Sequence, residues 1–301
     1  MKKLLILSIA LALFCACEGG SSENENSSEQ TGDGSASFTC TISDDFSRAS
    51  GDKWSANDKV GIYMVDYYKG VLKSVDYQNI CFTANSSLEF ESTTKMYYPE
   101  DYEFEMSFWA YYPYSSTNCT DSTCYVDASS GAVDFMVSSE STLYSSANTE
   151  AELVFNHKMC KLYFDINFTN FDYVPGDITS VKLSGLPTKF NYNFMSEEFE
   201  ALNSEEVEFS VSTTQTGYDA SYEAIIFPVG EALSGITLSV VTLSNGEKTA
   251  DLSKYSLNLV SGAVVSAVVE VKKTEAELGS GSITDWNDNE DNEDYLPATP
   301  V

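Results

Sequence analysis

The chain has 301 residues and carries 46 acidic side chains against 16 basic ones, which gives it a formal net charge of −30. A field this negative repels phosphate backbones and anionic headgroups, so it argues against binding to nucleic acid or to acidic lipid through basic patches. The single histidine argues against most histidine-based catalysis and against metal sites with several histidines, whereas 43% hydrophobic residues supply ample material for a buried core.

The first 16 residues are typical of a bacterial signal peptide. Two lysines precede an apolar run over residues 4–14, which as a helix covers only about half of a bilayer core. The run ends in Ala16-Cys17, which resembles the lipoprotein cleavage box, with a small residue before the cysteine that is lipidated. We therefore expect removal of residues 1–16 and anchoring to the outer membrane through acyl chains on Cys17. An ordinary secretory signal is the alternative.

Residues 17–36 contain mainly serine, glutamate, asparagine and glycine. Such a segment cannot bury enough apolar surface to offset the entropy that ordering it would cost. We expect a polar, flexible tether between the membrane and the folded part.

From residue 37 onward, apolar and polar residues alternate with the two-residue period of a half-buried β-strand. The first strand has Phe38, Cys40 and Ile42 on one face. Further strands are predicted near residues 103–110, 160–168, 206–211, 224–227, 236–243 and 263–271. Short strands with polar turns between them, and no helical periodicity, predict an all-β fold built from antiparallel β-sandwiches.

The alternation breaks over residues 170–176, around a Val-Pro-Gly sequence. We therefore predict an N-terminal β-sandwich domain over residues 37–170 and a C-terminal one over 171–275. Residues 276–301 become strongly acidic towards their end, and we expect them to form a solvated acidic tail.

No motif of an enzyme, cofactor or metal site stands out. The spacing Asp285-x-Asn287-x-Asn289 opens like a calcium loop, but the positions that need glycine and glutamate carry Glu290 and Leu296. His157 is in register with apolar neighbours of one strand, so we expect a core histidine whose partner is a backbone group. The sequence predicts a protein that is not an enzyme and needs no cofactor or metal.

Five cysteines follow Cys17. Cys119 and Cys124 enclose a four-residue loop and are a candidate disulfide pair, because an exported protein can form disulfides. Cys40 and Cys160 fall on the apolar faces of strands, where a buried free thiol is the ordinary state.

Five motifs follow one another between residues 36 and 286. They are the Arg48-to-Val65 stretch with Trp54, Asp58 and Gly61; Tyr97-Tyr98-Pro99 with Ala110-Tyr111-Tyr112-Pro113-Tyr114; the Phe155-Asn156-His157 strand; Ala224-Ile225-Ile226-Phe227-Pro228; and Ser261-Gly262-Ala263. In this order they resemble the fimbrillin-like lipoproteins of Bacteroidetes, which are subunits of type V pili or related surface adhesins. The resemblance implies two tandem transthyretin-like β-sandwich domains, a cell-surface location, and other pilus subunits as partners.

The resemblance also implies a processing site. Fimbrillin-like subunits are cut after an arginine by a trypsin-like surface protease, which frees the first strand and opens a groove for a neighbour's strand. Arg48 is the single arginine of the chain and lies six residues past Ile42 in a polar loop. Cleavage between Arg48 and Ala49 is therefore expected. The alternative is that Arg48 pairs with Asp45 or Asp52.

Two features leave the role in a pilus open. The C-terminal segment lacks the apolar alternation of a donor strand, which favours an anchor, a tip or a stand-alone surface lipoprotein over a shaft subunit. The abundant tyrosines favour a second class of function, a stand-alone glycan-binding lipoprotein, with residues 111–114 as candidate platform, although Pro113 and the family position favour a structural corner. The host or microbial surface ligand is not encoded in any motif.

Overall fold

The computed structural model describes residues 34–43, 53–68, 71–100, 105–120, 122–139, 142–169 and 173–285. The predictions for residues 1–16, Cys17, Arg48 with Ala49, and 286–301 lie outside this range, as does most of the tether. Within the described residues, strands dominate and the only helix is a single 3-10 turn at Leu252–Lys254. The described residues therefore contain no helix that is long and apolar enough to cross a bilayer. The predicted all-β class is confirmed.

The strands of the first half run from β1 to β10. Their bounds are Ser37–Ile42 (β1), Lys59–Tyr68 (β2), Val71–Ala84 (β3), Phe90–Glu91 (β4), Ser107–Tyr112 (β5), Cys119–Thr120 (β6), Thr123–Asp127 (β7), Met136–Ser139 (β8), Glu150–His157 (β9) and Cys160–Phe168 (β10).

The strands of the second half run from β11 to β20. Their bounds are Ile178–Ser184 (β11), Pro187–Asn193 (β12), Glu198–Ser204 (β13), Val207–Glu208 (β14), Ser210–Val211 (β15), Ala220–Ile226 (β16), Thr237–Thr242 (β17), Gly246–Asp251 (β18), Ala263–Val271 (β19) and Ala276–Asp285 (β20).

The described strands form four sheets. Their orders are β1-β9-β8-β5-β2-β3-β4, β15-β16-β10-β19-β20, β14-β11-β17-β18 and β13-β12-β7-β6. Most neighbours are antiparallel, as expected, but β1 pairs in parallel with β9, and β10 in parallel with β19.

The central strands β2 and β5 of the seven-stranded sheet are buried on both faces. In β2, Ile62 and Met64 face one hydrophobic core while Tyr63 and Val65 face another. This double burial explains why β2 and β5 are almost continuously apolar, since neither face of these strands meets water.

Three cores follow from this layering. The first core lies against β1 and includes Phe38, Phe108, Leu153 and Phe155. The second core lies between the other face of the same sheet and the β12–β7 sheet, with Trp109, Tyr111, Phe190 and Tyr192. The third core lies between the two remaining sheets, with Phe164, Leu183, Val240 and Val265.

The switch between cores differs from the boundary predicted at residue 170. β10 lies on the N-terminal side of that boundary, yet it pairs with β16 and β19 and its apolar face belongs to the third core. Conversely, β12 and β13 lie beyond the boundary but extend the sheet that contains β7. The physical reason is that alternation identifies the buried face of a strand without identifying its partner.

Two further predictions need correction. Residues 276–285, expected to be part of a solvated tail, form β20, because Ala276 and Leu278 are buried against β19. The strand predicted over residues 206–211 is split, because β14 pairs with β11 whereas β15 pairs with β16. The chain changes sheets there, so Val211 is 77% exposed although Phe209 is buried.

Candidate functional site

The first strand is an edge strand held by a single parallel ladder. Its register with β9 runs from Ser37 opposite Glu150 to Ile42 opposite Phe155. Beyond the strand end, the backbone N–H of Ser43 donates to the carbonyl oxygen of Phe155 at 2.9 Å. Among the described strands, none pairs with the other side of β1, so its six paired positions make it a discrete, separable element of the sheet.

The inner face of β1 fills an apolar groove. Phe38, Cys40 and Ile42 are 9%, 8% and 7% exposed, whereas the residues between them face solvent or lie near it. The ring of Phe38 meets Phe82 and Phe108 edge to face, with centroids 5.0 and 4.9 Å apart. Three side chains at a period of two thus contribute to the first core.

Trp54 covers β1 from the side away from β9. Its Nε1 donates to the backbone carbonyl oxygen of Cys40 at 2.9 Å. Its ring contacts Phe90, Tyr112 and Phe155 edge to face, at centroid distances of 5.1, 5.5 and 5.1 Å. The tryptophan of the sequence motif is therefore a lateral support of the first strand.

The aromatic-proline motif at residues 97–99 supports the start of β1. The backbone N–H of Ala36 donates to the carbonyl oxygen of Met96 at 2.7 Å, and an antiparallel bridge joins Ser35 to Tyr97. Tyr98 is buried, which raises its pKa by desolvation. The segment around β1 is thus held on both sides at its N-terminal end.

Two more motif residues shape the turn into β2. Asp58 accepts hydrogen bonds from the backbone N–H of Ser55 at 2.7 Å and from the Tyr112 hydroxyl at 3.3 Å. Gly61 has no room for a side chain, because an added Cβ would lie 2.2 Å from Cε1 of Tyr111. The glycine at position 61 of the motif therefore reflects close packing against Tyr111.

Tyr111 is fully buried and does not offer a face to a sugar. Its hydroxyl donates to Asn79 Oδ1 at 2.8 Å and lies 3.0 Å from the carbonyl oxygen of Ser115. Burial raises its pKa to about 12. Within the candidate glycan platform at residues 111–114, Tyr111 therefore has a structural role in a chain corner.

The cysteines divide into a facing pair and free thiols. Cys119 and Cys124 are direct partners across the β6–β7 hairpin, with Cα atoms 4.0 Å apart and sulfur atoms within bonding distance. Cys40 and Cys160 are free thiols in different cores. Burial raises the pKa of Cys40 to about 12 and that of Cys160 further. A covalent link between β1 and β10 is thus not part of this structure.

His157 is buried, as expected, and its ring also contacts a side-chain carboxylate that the sequence did not identify. Its Nδ1 lies 2.9 Å from Oδ1 of Asp134. Sequence reasoning missed this pair because the two residues are 23 positions apart and come from different segments.

Within the described ranges, no three side chains of His, Cys, Asp or Glu cluster in a way that could hold a metal ion. Of the residues with the spacing of a calcium loop, only Asp285 is among the described residues, whereas Asn287 and Asn289 are not. Arg48 and Ala49 fall between Ser43 and Lys53, and that segment is also outside the described residues.

Comparison with known proteins places these features in a family. The fimbrillin-like family model matches residues 47–286. A Bacteroides uniformis protein provisionally named fimbrium subunit Fim1C is 25% identical over 292 residues, which cover 91% of this chain and 94% of that protein.

Solved structures share the fold. A crystal structure of a protein assigned to cell adhesion from Bacteroides uniformis has a TM-score of 0.65 at 22% identity, covering 84% of this chain and 100% of that one. A second such structure, from Bacteroides ovatus, has a TM-score of 0.62 at 18% identity, covering 85% and 99%. With the family model matched over most of its length, this chain belongs to the fimbrillin-like family.

Proposed function

We propose that this protein is a non-enzymatic, adhesion-related fimbrial subunit at the cell surface. It would be either a pilus component or an accessory anchor or tip. Its assembly would proceed by β-strand exchange after cleavage near Arg48. The family match and the fimbrium-subunit relative support a fimbrial role. The observation that carries strand exchange is the position of β1. It is an edge strand whose inner face is apolar, and it precedes the single arginine of the chain.

The groove under β1 is suited to a replacement strand. Leu153 and Phe155 of β9 lie beside β1, and Phe108 of β5 contacts Phe38; all three are fully buried, so losing β1 would expose apolar surface. It would also leave the backbone groups of β9 that pair with β1 without partners. An incoming strand with apolar residues at every second position would restore both kinds of contact.

The free state of Cys40 is compatible with this scheme. A disulfide to Cys160 would keep β1 attached after cleavage, whereas two free thiols leave it held by noncovalent contacts alone. The proposed partners are other pilus subunits, which would supply the replacing strand.

Membrane attachment in the proposal depends on Cys17. After removal of residues 1–16, acyl chains on Cys17 would anchor the precursor to the outer membrane. Cleavage after Arg48 would then leave the folded part joined to β1, and through it to the anchor, by noncovalent contacts alone. Displacement of β1 by a partner's strand after the cut would therefore both release the subunit from the membrane and fill the groove.

The test is to isolate the protein from the cell surface and determine its N-terminus together with its assembly state. We expect chains that begin at Ala49 and high-molecular-weight ladders after cross-linking. Arg48→Ala should give chains that begin at acylated Cys17 and no ladder, and Arg48→Lys, which keeps the charge, distinguishes an arginine-specific protease. Wild-type chains that begin only at Cys17 would refute cleavage.

A further inference from the structure

A cavity of about 280 Å³ lies beside the C-terminal end of β1. Its wall includes Ile42, the last residue of β1, together with the aromatic rings of Trp54 and Tyr112. Ligand pockets typically measure about 300–1,000 Å³, so this one is at the small end of that range. Its volume suits one small ring.

Two carboxylates that line the cavity are oriented by neighbouring groups. Asp134 is held through Oδ1 by His157, a residue that is only 1% exposed. Asp58 is held by the backbone N–H of Ser55 and by the Tyr112 hydroxyl. A carboxylate has about four lone-pair sites, so each can accept further hydrogen bonds from a ligand.

Two lysines balance these charges. Lys53 and Lys161 line the same cavity as the carboxylates, and Lys161 is 5% exposed with its Nζ 4.0 Å from Oε2 of Glu223. The four lining side chains therefore sum to zero formal charge, in a chain whose net charge is −30. A ligand that carried a net charge would gain little here, whereas a neutral ligand with several hydroxyl groups would find both acceptors and donors.

We infer that this cavity binds one neutral monosaccharide unit of a glycan. The apolar face of the sugar ring would pack against Trp54 or Tyr112, and its hydroxyl groups would donate to Asp58 and Asp134 and accept from Lys53. The proposed contacts with the sugar come from outside β1, but Ile42 of β1 closes part of the wall, so the site is tested in the chain that retains β1.

The test is isothermal titration of the full, uncleaved chain with methyl glycosides of glucose, galactose, mannose, fucose and N-acetylglucosamine. We expect at least one of them to bind. Asp134→Asn and Lys53→Gln should each weaken that binding about tenfold, since a hydrogen bond to a charged group contributes about that factor. Asp76→Asn, which makes the same change at an exposed position on β3, should leave binding unchanged.

Asp134→Asn also removes the carboxylate partner of the buried His157, so its unfolding transition must be compared with that of the wild type. Lys53 is exposed, so Lys53→Gln keeps the test valid even if the first variant fails to fold. N-acetylneuraminic acid and glucosamine are titrated in parallel as charged sugars. Three outcomes would overturn the inference: no binding of any neutral glycoside, binding that neither variant weakens, or binding of the charged sugars alone.

Discussion

The indole Nε1 of Trp54 donates a hydrogen bond to the backbone carbonyl oxygen of Cys40, at 2.9 Å. The two residues lie on opposite sides of the segment that contains Arg48, so this bond joins the ends of that segment without depending on its covalent continuity. Cutting after Arg48 would therefore leave β1 attached through Trp54, the β9 ladder and its three buried side chains. In the proposed assembly, a partner's strand has to displace β1 and does not enter an empty groove.

Replacing Trp54 by phenylalanine tests this lateral support. Trp54→Phe keeps an aromatic ring but leaves the Cys40 carbonyl oxygen without the indole donor, so we expect a loss of about 1–3 kcal/mol in the free energy of unfolding. Urea unfolding measures this loss, and hydrogen exchange should become faster at the amides of β1. Trp109→Phe, in the second core, is the control: it should leave exchange in β1 unchanged.

The apolar face of β1 should contribute much more to stability than its polar face. Phe38→Ala removes a ring in contact with Phe82 and Phe108, and such core truncations cost about 3–5 kcal/mol. Thr39→Ala, one position away and exposed, should change the free energy of unfolding by no more than about 0.5 kcal/mol. Equal effects of the two changes would contradict the placement of β1 in the groove.

Replacing Gly61 by any larger residue should lower the free energy of unfolding. In Gly61→Ala the new Cβ would lie 2.2 Å from Tyr111 and 2.6 Å from Oδ1 of Asn79, so side chains must shift, at a cost of about 1–3 kcal/mol or more. Gly279→Ala in β20 places its Cβ at an ordinary 3.6 Å from Val268 and should be nearly neutral. Thermal unfolding of the two variants gives the comparison, and equal melting temperatures would count against the close packing of Tyr111.

Alkylation followed by peptide mapping should separate the cysteines into three classes. In the native protein Cys81, which is partly exposed, should react first, because Cys40 and Cys160 are buried. After unfolding without a reductant, all three should react, whereas Cys119 and Cys124 should react only after reduction. Labelling of Cys119 and Cys124 without reduction would disprove their disulfide, and protection of Cys40 and Cys160 would indicate that they are joined.

Alkaline pH should destabilise the fold. Burial raises the pKa of Tyr111 and of Tyr112 from 10.0 to about 12, and that of Cys40 from 9.0 to about 12. These groups ionise first in the unfolded chain, so their stabilising effect is complete below pH 9 and is lost as the pH rises to about 12. Urea unfolding between pH 8 and 12 measures this decline, and a free energy of unfolding that stays constant up to pH 12 would refute it.

The parts of the fold that depend on neighbours in the chain were predictable. The alternation of Phe38, Cys40 and Ile42 identified β1 and its buried face, and the strand predicted over residues 263–271 is β19 with the same bounds. Family membership was predictable as well, because the motifs follow one another in order along the chain. These features are local, since which face of a strand is apolar depends on residues two positions apart.

Only the tertiary structure decided which strands share a sheet. It assigned β10 to the third core, β12 to the sheet of β7, and β20 to the edge beside β19. It also brought Trp54 to Cys40 and Asp134 to His157, and assembled a cavity from segments far apart in sequence. Pairing between distant strands is selected by the packing of all of them together, so the alternating pattern of one strand does not contain that information. The same reason explains why the sequence alone identified Arg48 as a candidate cleavage site but not the contacts that would retain β1 after the cut.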